Sequence, residues 1–573
     1  MKRITRRQFL INSGTAASVL WVPHVIFAAA NQEISSPAAV GTFECLGLYY
    51  SSPFQGECQV RYRPVNTSDW RQAFPLWYDD QESQYRGSLA GLEPDTIYDI
   101  ELQAGGTTVP FRGQTRSDNF PVGKVTTLDS GTLHTRIEIT ESGKPGGYHL
   151  IQPPEGERTS IDALNLTDYN IVVDADYVII RGLELKNAAI HGILIREGRH
   201  DVVVEECRIT FWGRIGGPRS FGNLKGGTDS AINAESGVAR LTAQRNLIEH
   251  PRGATNDWRT GHPSGPQGIS LWESAGGHVI RYNEIWSSED HGYNDIIGGG
   301  SNFSRVGNLN KDSDVYGNIL RNAWDDAIES EGANMNVRIW GNYMEKYYQA
   351  IAVAGTSRGP IYIYRNICGE SRRHHDDPMG GNLIKTSGRD GFQHGQKYIF
   401  HNTVLQPGGP HDIIPSSDTR NVMSRNNIFD CPGRLAPDWE GDAGNDFDYD
   451  MFNGRARGGA QEEHGTTIGS RGHAAFTSSS RYRLEFYPAS TTTEVQYMKY
   501  ETKVDGTTIR ITDPMLTVPN PVIDNGQVLP GFNDNYSGAA PDMGAFETGR
   551  PPLEFGRRAY LGHHEGWAPW ERF

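Results

Sequence analysis

The chain has 573 residues, 36% of them hydrophobic, with 67 Gly, 31 Pro and a formal net charge of −15. An acidic protein is repelled by nucleic acid and anionic membrane surfaces, and this much Gly and Pro favours turns over long helices. The length exceeds one ordinary domain, so two or more domains, or a domain with a repeat array, are expected.

Lys2, Arg3, Arg6 and Arg7 precede an apolar run from Thr15 to Ala30 that ends in small residues. Residues 1–30 therefore read as a cleaved signal peptide, too short to serve as a membrane span. Thr5-Arg6-Arg7-Gln8-Phe9-Leu10 resembles the twin-arginine export signature. It implies a protein exported folded to the periplasm or beyond, with no membrane insertion after cleavage. In such an oxidising compartment Cys45 and Cys58 can pair, or they are two unpaired thiols on different sheets; spacing alone leaves both open. The chain contains no CxxC or HExxH motif.

Residues 35–117 alternate apolar and polar positions in short runs, as in Gln59-Val60-Arg61-Tyr62 and Tyr98-Asp99-Ile100-Glu101-Leu102, and predict a small β-sandwich. Gly91-Leu92-Glu93-Pro94-Asp95-Thr96-Ile97-Tyr98 resembles the segment before the late strands of a fibronectin type III domain. That resemblance implies a spacer or a binding accessory. Residues 118–164 are expected to form a linker and an N-terminal cap.

From residue 165 to 450 the chain repeats. An alternating apolar run closes on Asn at positions 246, 283, 318, 342, 366, 402 and 427, with Leu183 and Cys207 in the same register. The shortest steps are near 24 residues, one coil of a right-handed parallel β-helix. A second strand recurs in each coil, marked by Ile193, Ile232, Ile269, Ile297, Ile328, Ile351, Ile384 and Ile414. Stacked turn Asn residues are expected to form a hydrogen-bonded ladder. The fold class is thus all-β, a solenoid preceded by a sandwich, with a C-terminal extension and cap over 451–573.

The insertions, at about 209–228, 250–266, 298–310, 369–381 and 387–395, all flank the Ile-marked strand. Loops gathered on one face of a rigid scaffold are where binding sites are built. Alternation turns the Ile inward and exposes the residues one and three beyond it. One outward column reads Leu194, Asn233, Ser270, Gly298, Glu329, Ala352, Lys385; the next reads Arg196, Glu235, Trp272, Gly300, Glu331, Ala354, Ser387. Small residues beside Glu329 and Glu331 leave a groove into which two carboxylates project.

Asp295, Asp325 and Asp326 lie just before the same strand. Glycosidic hydrolysis needs paired carboxyl groups, and crowded carboxylates split their pKa values as such a pair requires. Asp326 and Glu329 are the candidate acid/base pair, with Asp295 as nucleophile, water-activating base or metal ligand. No cofactor is required for that chemistry. The same acids can instead hold Ca²⁺ through Asp295, Asp325 and Glu331. Lys385 is then the base of a lyase or epimerase acting on a uronate. Asn233, Trp258, Arg259, Trp272, His291 and Glu331 are expected to line the groove and meet sugar faces and hydroxyls. Trp212, Arg214, His262 and the pair His374-His375 sit in the same flanking loops.

Residues 165–450 resemble the pectin-lyase-like superfamily of β-helix proteins. Trp324-Asp325-Asp326-Ala327-Ile328-Glu329-Ser330-Glu331-Gly332 looks like the DDxI segments of its glycan-active members. Leu529-Pro530-Gly531-Phe532 and Pro541-Asp542-Met543-Gly544-Ala545-Phe546-Glu547 resemble the close of many bacterial β-helix proteins. The Gly-His-Gly and Arg-x-Lys that accompany the Asp pair in polygalacturonase-type hydrolases are absent. The resemblance implies a polysaccharide lyase, glycoside hydrolase or uronate epimerase with a polysaccharide substrate, hydrolysis being slightly preferred. A non-catalytic glycan-binding solenoid is the alternative of another class.

Overall fold

A computed structural model describes residues 36–214, 229–258, 261–299, 303–369, 371–372, 381–386, 392–405, 420–430, 444–452, 462–467, 482–488, 495–504, 507–510, 522–550, 553–557 and 559. The expected signal peptide, Cys431 and Ile414 lie outside them.

The first domain is antiparallel. Its strands are β1 (Ala38–Gly41), β2 (Leu46–Ser51), β3 (Cys58–Pro64), β4 (Arg71–Asp79), β5 (Gln84–Leu89), β6 (Ile97–Ala104) and β7 (Thr107–Gln114). They follow the order β1-β2-β5-β4-β3-β6-β7. Cys58, Val60, Tyr62, Tyr98, Ile100 and Leu102 alternate into one core. Cys45 is unbonded and faces a different cluster, with Ala90 and Tyr362; Cys58 is unbonded in the sandwich core. Burial pushes the Cys58 thiol up to about 12, so it is chemically quiet.

Three parallel sheets follow, built from successive coils. The nine-stranded sheet runs from Ile137–Ile139 to Asn382–Lys385 and contains the Ile-marked strands. Ile171, Ile193, Ile232, Ile269, Ile297, Ile328, Ile351 and Ile384 pair in register, and all are fully buried. A twelve-stranded sheet runs from Val122–Thr127 to Asp446–Asp448, and a thirteen-stranded sheet from Gly131–Leu133 to Thr466–Thr467. The solenoid thus starts inside the stretch expected to be a linker and cap, and its last pairing lies beyond residue 450. The early coils were hidden because they lack the turn Asn that makes the repeat visible.

That Asn forms a buried ladder between the twelve- and thirteen-stranded sheets. Asn246, Asn283, Asn318, Asn342, Asn366 and Asn402 each donate from Nδ2 to the Oδ1 of the next Asn at 2.9–3.0 Å, and Asn427 donates to Asp450 at 2.9 Å. The same Oδ1 accepts the preceding backbone N–H, for example Asn318 N to Asn342 at 3.1 Å. The residue before each Asn sits in the left-handed region, including Arg245, Tyr282, Arg365 and His401. Each non-Gly residue there costs about 1–2 kcal/mol. The ladder offsets this by satisfying buried turn amides and carbonyls that would otherwise be left unpaired.

The outer surface of the twelve-stranded sheet is covered by the sandwich. Arg338 and Asp314 form a buried ion pair at 2.6 Å. The Arg338 guanidinium also donates to Ser88 and Thr42 of the sandwich, each at 3.3 Å. Tyr49 donates to Asp312 at 2.9 Å, and Phe74 meets Tyr398, Phe400 and Phe532 edge-on or tilted. These contacts make a desolvated junction. The C-terminal residues Ala545 and Phe555 cover Ile319, Tyr343 and Ile367 of the thirteen-stranded sheet. The nine-stranded sheet carries the acids.

Candidate active site

The strand Asp326–Glu329 pairs with Ile297–Gly298 on one side and Gln349–Ala352 on the other. Asp326 opens the strand and Glu329 closes it. Asp295 stands two residues before Ile297, one coil away, and Glu331 follows Glu329 by two residues. A Cβ on Gly298 would lie 2.8 Å from the Glu329 Cβ and 3.2 Å from the Asp295 Cβ. Glycine is what lets these two acids share the surface. Gly299, with φ +114°, turns its amide to donate to Glu329 Oε2 at 2.9 Å.

The five acids form two overlapping groups. Asp295, Asp325 and Asp326 each bring one oxygen within 4.8 Å of the others, and so do Asp326, Glu329 and Glu331. The second group already holds a cation. The Lys385 ammonium lies 3.1 Å from Asp326 Oδ2 and 2.9 Å from Glu331 Oε1. Its backbone is two coils from Glu329, and the long side chain reaches back past Ala352 in the same column. The first group shares Asp326, and with it Lys385, while Asp295 is held by hydrogen bonds. Asp295 accepts hydrogen bonds from Gln267 Nε2 at 2.8 Å, Asn294 Nδ2 at 2.7 Å and the Asp326 amide at 3.1 Å. Asp325 Oδ1 and Asp326 Oδ1 are buried with no hydrogen-bond partner, as are the amide oxygens of Gln267 and Asn294.

Electrostatics follow from this crowding. Burial, then the charges of Glu329 and Asp325, push the Asp295 carboxyl well above the usual range. Burial and Asp326 do the same to Asp325. Burial also raises Asp326, Glu329 and Glu331, against the opposing pull of Lys385. Burial alone would discharge Lys385, but Asp326 and Glu331 outweigh it and hold the ammonium well above the ordinary lysine range. One lysine cannot balance five acids, so the buried cluster favours either bound protons or an additional cation.

The residues present fit a hard divalent cation. The donors are all oxygens, and two of them, Asp325 Oδ1 and Asp326 Oδ1, have no hydrogen-bond partner. Asp295 and Asp325 would be ligands, as the sequence suggested, joined by Asp326. Glu331 falls in the second group, with Asp326 and Glu329, and is fully buried against Lys385. Its depth was missed because the strand ends before it, and simple alternation does not continue past Glu329.

The expected lining residues are scattered. Trp258 stacks on Tyr348 at 5.2 Å and packs on His262 at 4.6 Å; His262 Nε2 lies 3.6 Å from Asp325 Oδ2. This loop reaches the acids. Trp272 is on the sheet surface, 38% exposed. Asn233 lies three coils from Glu329 in the column Asn233–Ser270–Gly298–Glu329, about 14 Å at the usual strand spacing. His291 faces His250 and Asp290, and no described contact joins it to the acids. Trp212 is fully buried on Tyr293 and is core, and Arg214 is held by Asp229 at 2.6 Å. Arg259, His374 and His375 lie outside the described residues. Gln267 was overlooked, although it stands two residues before its Ile, as Asp295 and Asp326 do.

No family model matches the chain, and no curated protein matches it. Among solved structures, the chain is similar to pectate lyase Pel9A, with 15% identity, a TM-score of 0.39 and coverage of 76% of this chain and 91% of that one. It is similar to a mannuronic acid specific polysaccharide family 6 lyase from human gut microbiota at 11% identity and a TM-score of 0.33, covering 62% and 78%. A GH87 α-1,3-glucanase from Streptomyces thermodiastaticus strain HF3-3 aligns at 9% identity and a TM-score of 0.20, covering 75% and 89%.

Proposed function

We propose that the protein is a divalent-cation-dependent polysaccharide lyase that cleaves a uronate-containing glycan, with Lys385 as the base. The observation that carries this reading is the position of Lys385, held between Asp326 and Glu331 beside a buried cluster in which Asp295, Asp325 and Asp326 each bring one oxygen together and Asp325 Oδ1 and Asp326 Oδ1 have no hydrogen-bond partner. A cation held by Asp295, Asp325 and Asp326 would draw the substrate carboxylate, acidify the adjacent C–H and oppose the charge that keeps Lys385 protonated. Lys385 would first give its ammonium proton to solvent, and the neutral Nζ then takes the C5 proton. The C5–H electrons form the C4=C5 double bond, the C4–O bond breaks, and the departing oxygen gains a proton. Glu331 and Asp326 hold the Lys385 side chain in place for that transfer.

Hydrolysis by Asp326 and Glu329 fits less well. Asp326 Oδ2 already faces the Lys385 ammonium at 3.1 Å, so Asp326 is engaged with a base rather than free to serve as one of a carboxyl pair.

The remaining expectations join this reading. The N-terminal segment directs folded export by the twin-arginine route, and the antiparallel domain is a fibronectin type III-like module fixed to the solenoid.

The test is purified protein with polygalacturonate, polymannuronate and neutral glycans, with and without a chelator. Appearance of the ultraviolet absorbance of an unsaturated uronate, its loss on chelation and its return with Ca²⁺ are expected. New reducing ends without that absorbance, indifferent to chelator, would establish hydrolysis instead.

A further inference from the structure

The acid cluster occupies only the middle of its sheet. Toward the N-terminal end, the outward positions continue as Ser270 and Trp272, then Asn233 and Glu235, then Arg196. Trp272 follows the strand Gln267–Leu271, and its amide donates to Ala234 O at 3.3 Å, which fixes it beside Glu235. Its ring makes no aromatic contact among the described residues, and the residue is 38% exposed. Glu235 and Arg196 form an exposed ion pair at 3.2 Å, and Asn233 is half-buried. A partly exposed indole beside polar groups suits the C–H face and hydroxyls of a pyranose.

Spacing gives these groups a common direction. Trp272 is two coils from the strand that carries Glu329, roughly 10 Å away, and Arg196 is four coils away, about 19 Å. Both lie on the same side of the acids, in register along the solenoid axis. Trp272 alone would be one more surface aromatic. A partly exposed aromatic, then an amide, then an ion pair form a track in line with the reacting groups, interrupted by the buried Ser270 and Leu194.

We infer that this track binds the uncleaved part of a polymer, with one sugar ring stacked on Trp272, so that the protein engages glycans as chains extending toward the N-terminal end of the solenoid. The inference rests on the lyase reading for the chemistry at the acids and adds the direction and length of the substrate. It makes chain length a determinant of rate: short oligomers fill the acid site alone, whereas longer ones also fill the track.

The experiment compares wild type with Trp272→Ala and Trp272→Phe on size-fractionated polygalacturonate and polymannuronate oligomers and on the parent polymers. Wild type is expected to show kcat/KM rising with chain length. Trp272→Ala should lose about tenfold on polymers and progressively less as the chain shortens to a dimer, and Trp272→Phe should retain most of the polymer rate. Equal losses at every length, or none, would overturn the track and leave the lyase reading standing. Binding is measured separately by titrating Lys385→Ala with the same polymers. Neither cleavage by wild type nor binding by Lys385→Ala, across both polymers, would overturn the track and the lyase reading together. Thermal unfolding of Trp272→Ala, expected unchanged for a half-exposed residue, separates lost binding from lost fold.

Discussion

Lys385 places its ammonium 2.9 Å from Glu331, a carboxylate with no solvent exposure at all. A buried acid against a partly exposed base is an arrangement for aiming the base. Glu331→Gln should preserve the fold and lower turnover by about 100-fold, because the amide holds Lys385 less firmly. Lys385→Ala should abolish turnover. It should also destabilise by about 3 kcal/mol, the usual result of stranding buried charge. Steady-state rates and urea unfolding check both variants; a Glu331→Gln enzyme with full activity would remove the aiming role.

Calcium should stabilise the fold. The carboxylates of Asp295, Asp325 and Asp326 are buried together, and Lys385 reaches Asp326 of the three, so an ion that binds the folded chain alone raises stability by mass action. At a free concentration 100-fold above Kd the gain is about 2.7 kcal/mol. Calorimetry at neutral pH with and without chelator should show a higher Tm in Ca²⁺, and Asp325→Asn should shrink that difference. An unchanged Tm would argue against the cation site.

Gly298 and Gly299 should be intolerant of a methyl group, for different reasons. A Cβ at 298 meets Glu329 Oε2 at 2.9 Å; one at 299 meets Ser270 Oγ at 2.7 Å, and the φ of +114° strains any side chain there. Gly298→Ala is expected to cut activity by more than tenfold with little loss of Tm. Gly299→Ala is expected to lower both, since the amide held on Glu329 moves. Equal activity in Gly298→Ala and wild type would contradict the crowding of Asp295 and Glu329.

The ladder should be costly to break in its middle. Asn342 donates to Asn366 and to Val315 O, and accepts from the amide and side chain of Asn318. Asn342→Ala leaves these buried groups unpaired, at about 1–3 kcal/mol each, and should lower the urea midpoint sharply. Asp450, which ends the ladder, is pushed up to about 7 by burial, so Asp450→Asn should be tolerated far better.

Asp312 gives a pH signature at the junction between the two domains. Burial pushes its carboxyl up to about 6 despite the Arg338 charge and the Tyr49 hydrogen bond. A raised acid favours folding in its protonated form. Its contribution is complete below the unfolded pKa near 4 and is lost as pH rises through about 6. The loss amounts to about 2–3 kcal/mol at 1.36 kcal/mol per pKa unit. Asp312→Asn should therefore raise Tm at pH 8, with the advantage vanishing near pH 4. The reverse trend would mean that Arg338 outweighs burial.

The repeat of Asn and Ile in the sequence determined the coil, the ladder and the inward column, because each coil presents its marker at a fixed register and parallel stacking needs nothing more. The outward column through Glu329 and Lys385 was legible for the same reason. What the sequence could not place was depth. Glu331 looked like a groove residue and is buried; Trp212 looked like a lining aromatic and is core. The cysteines could have paired and instead face separate clusters. Only the tertiary structure decided that Lys385 spans two coils to reach Asp326 and Glu331. Side-chain reach and burial depend on which residues are small in neighbouring coils, and that is a property of the stack rather than of any one segment.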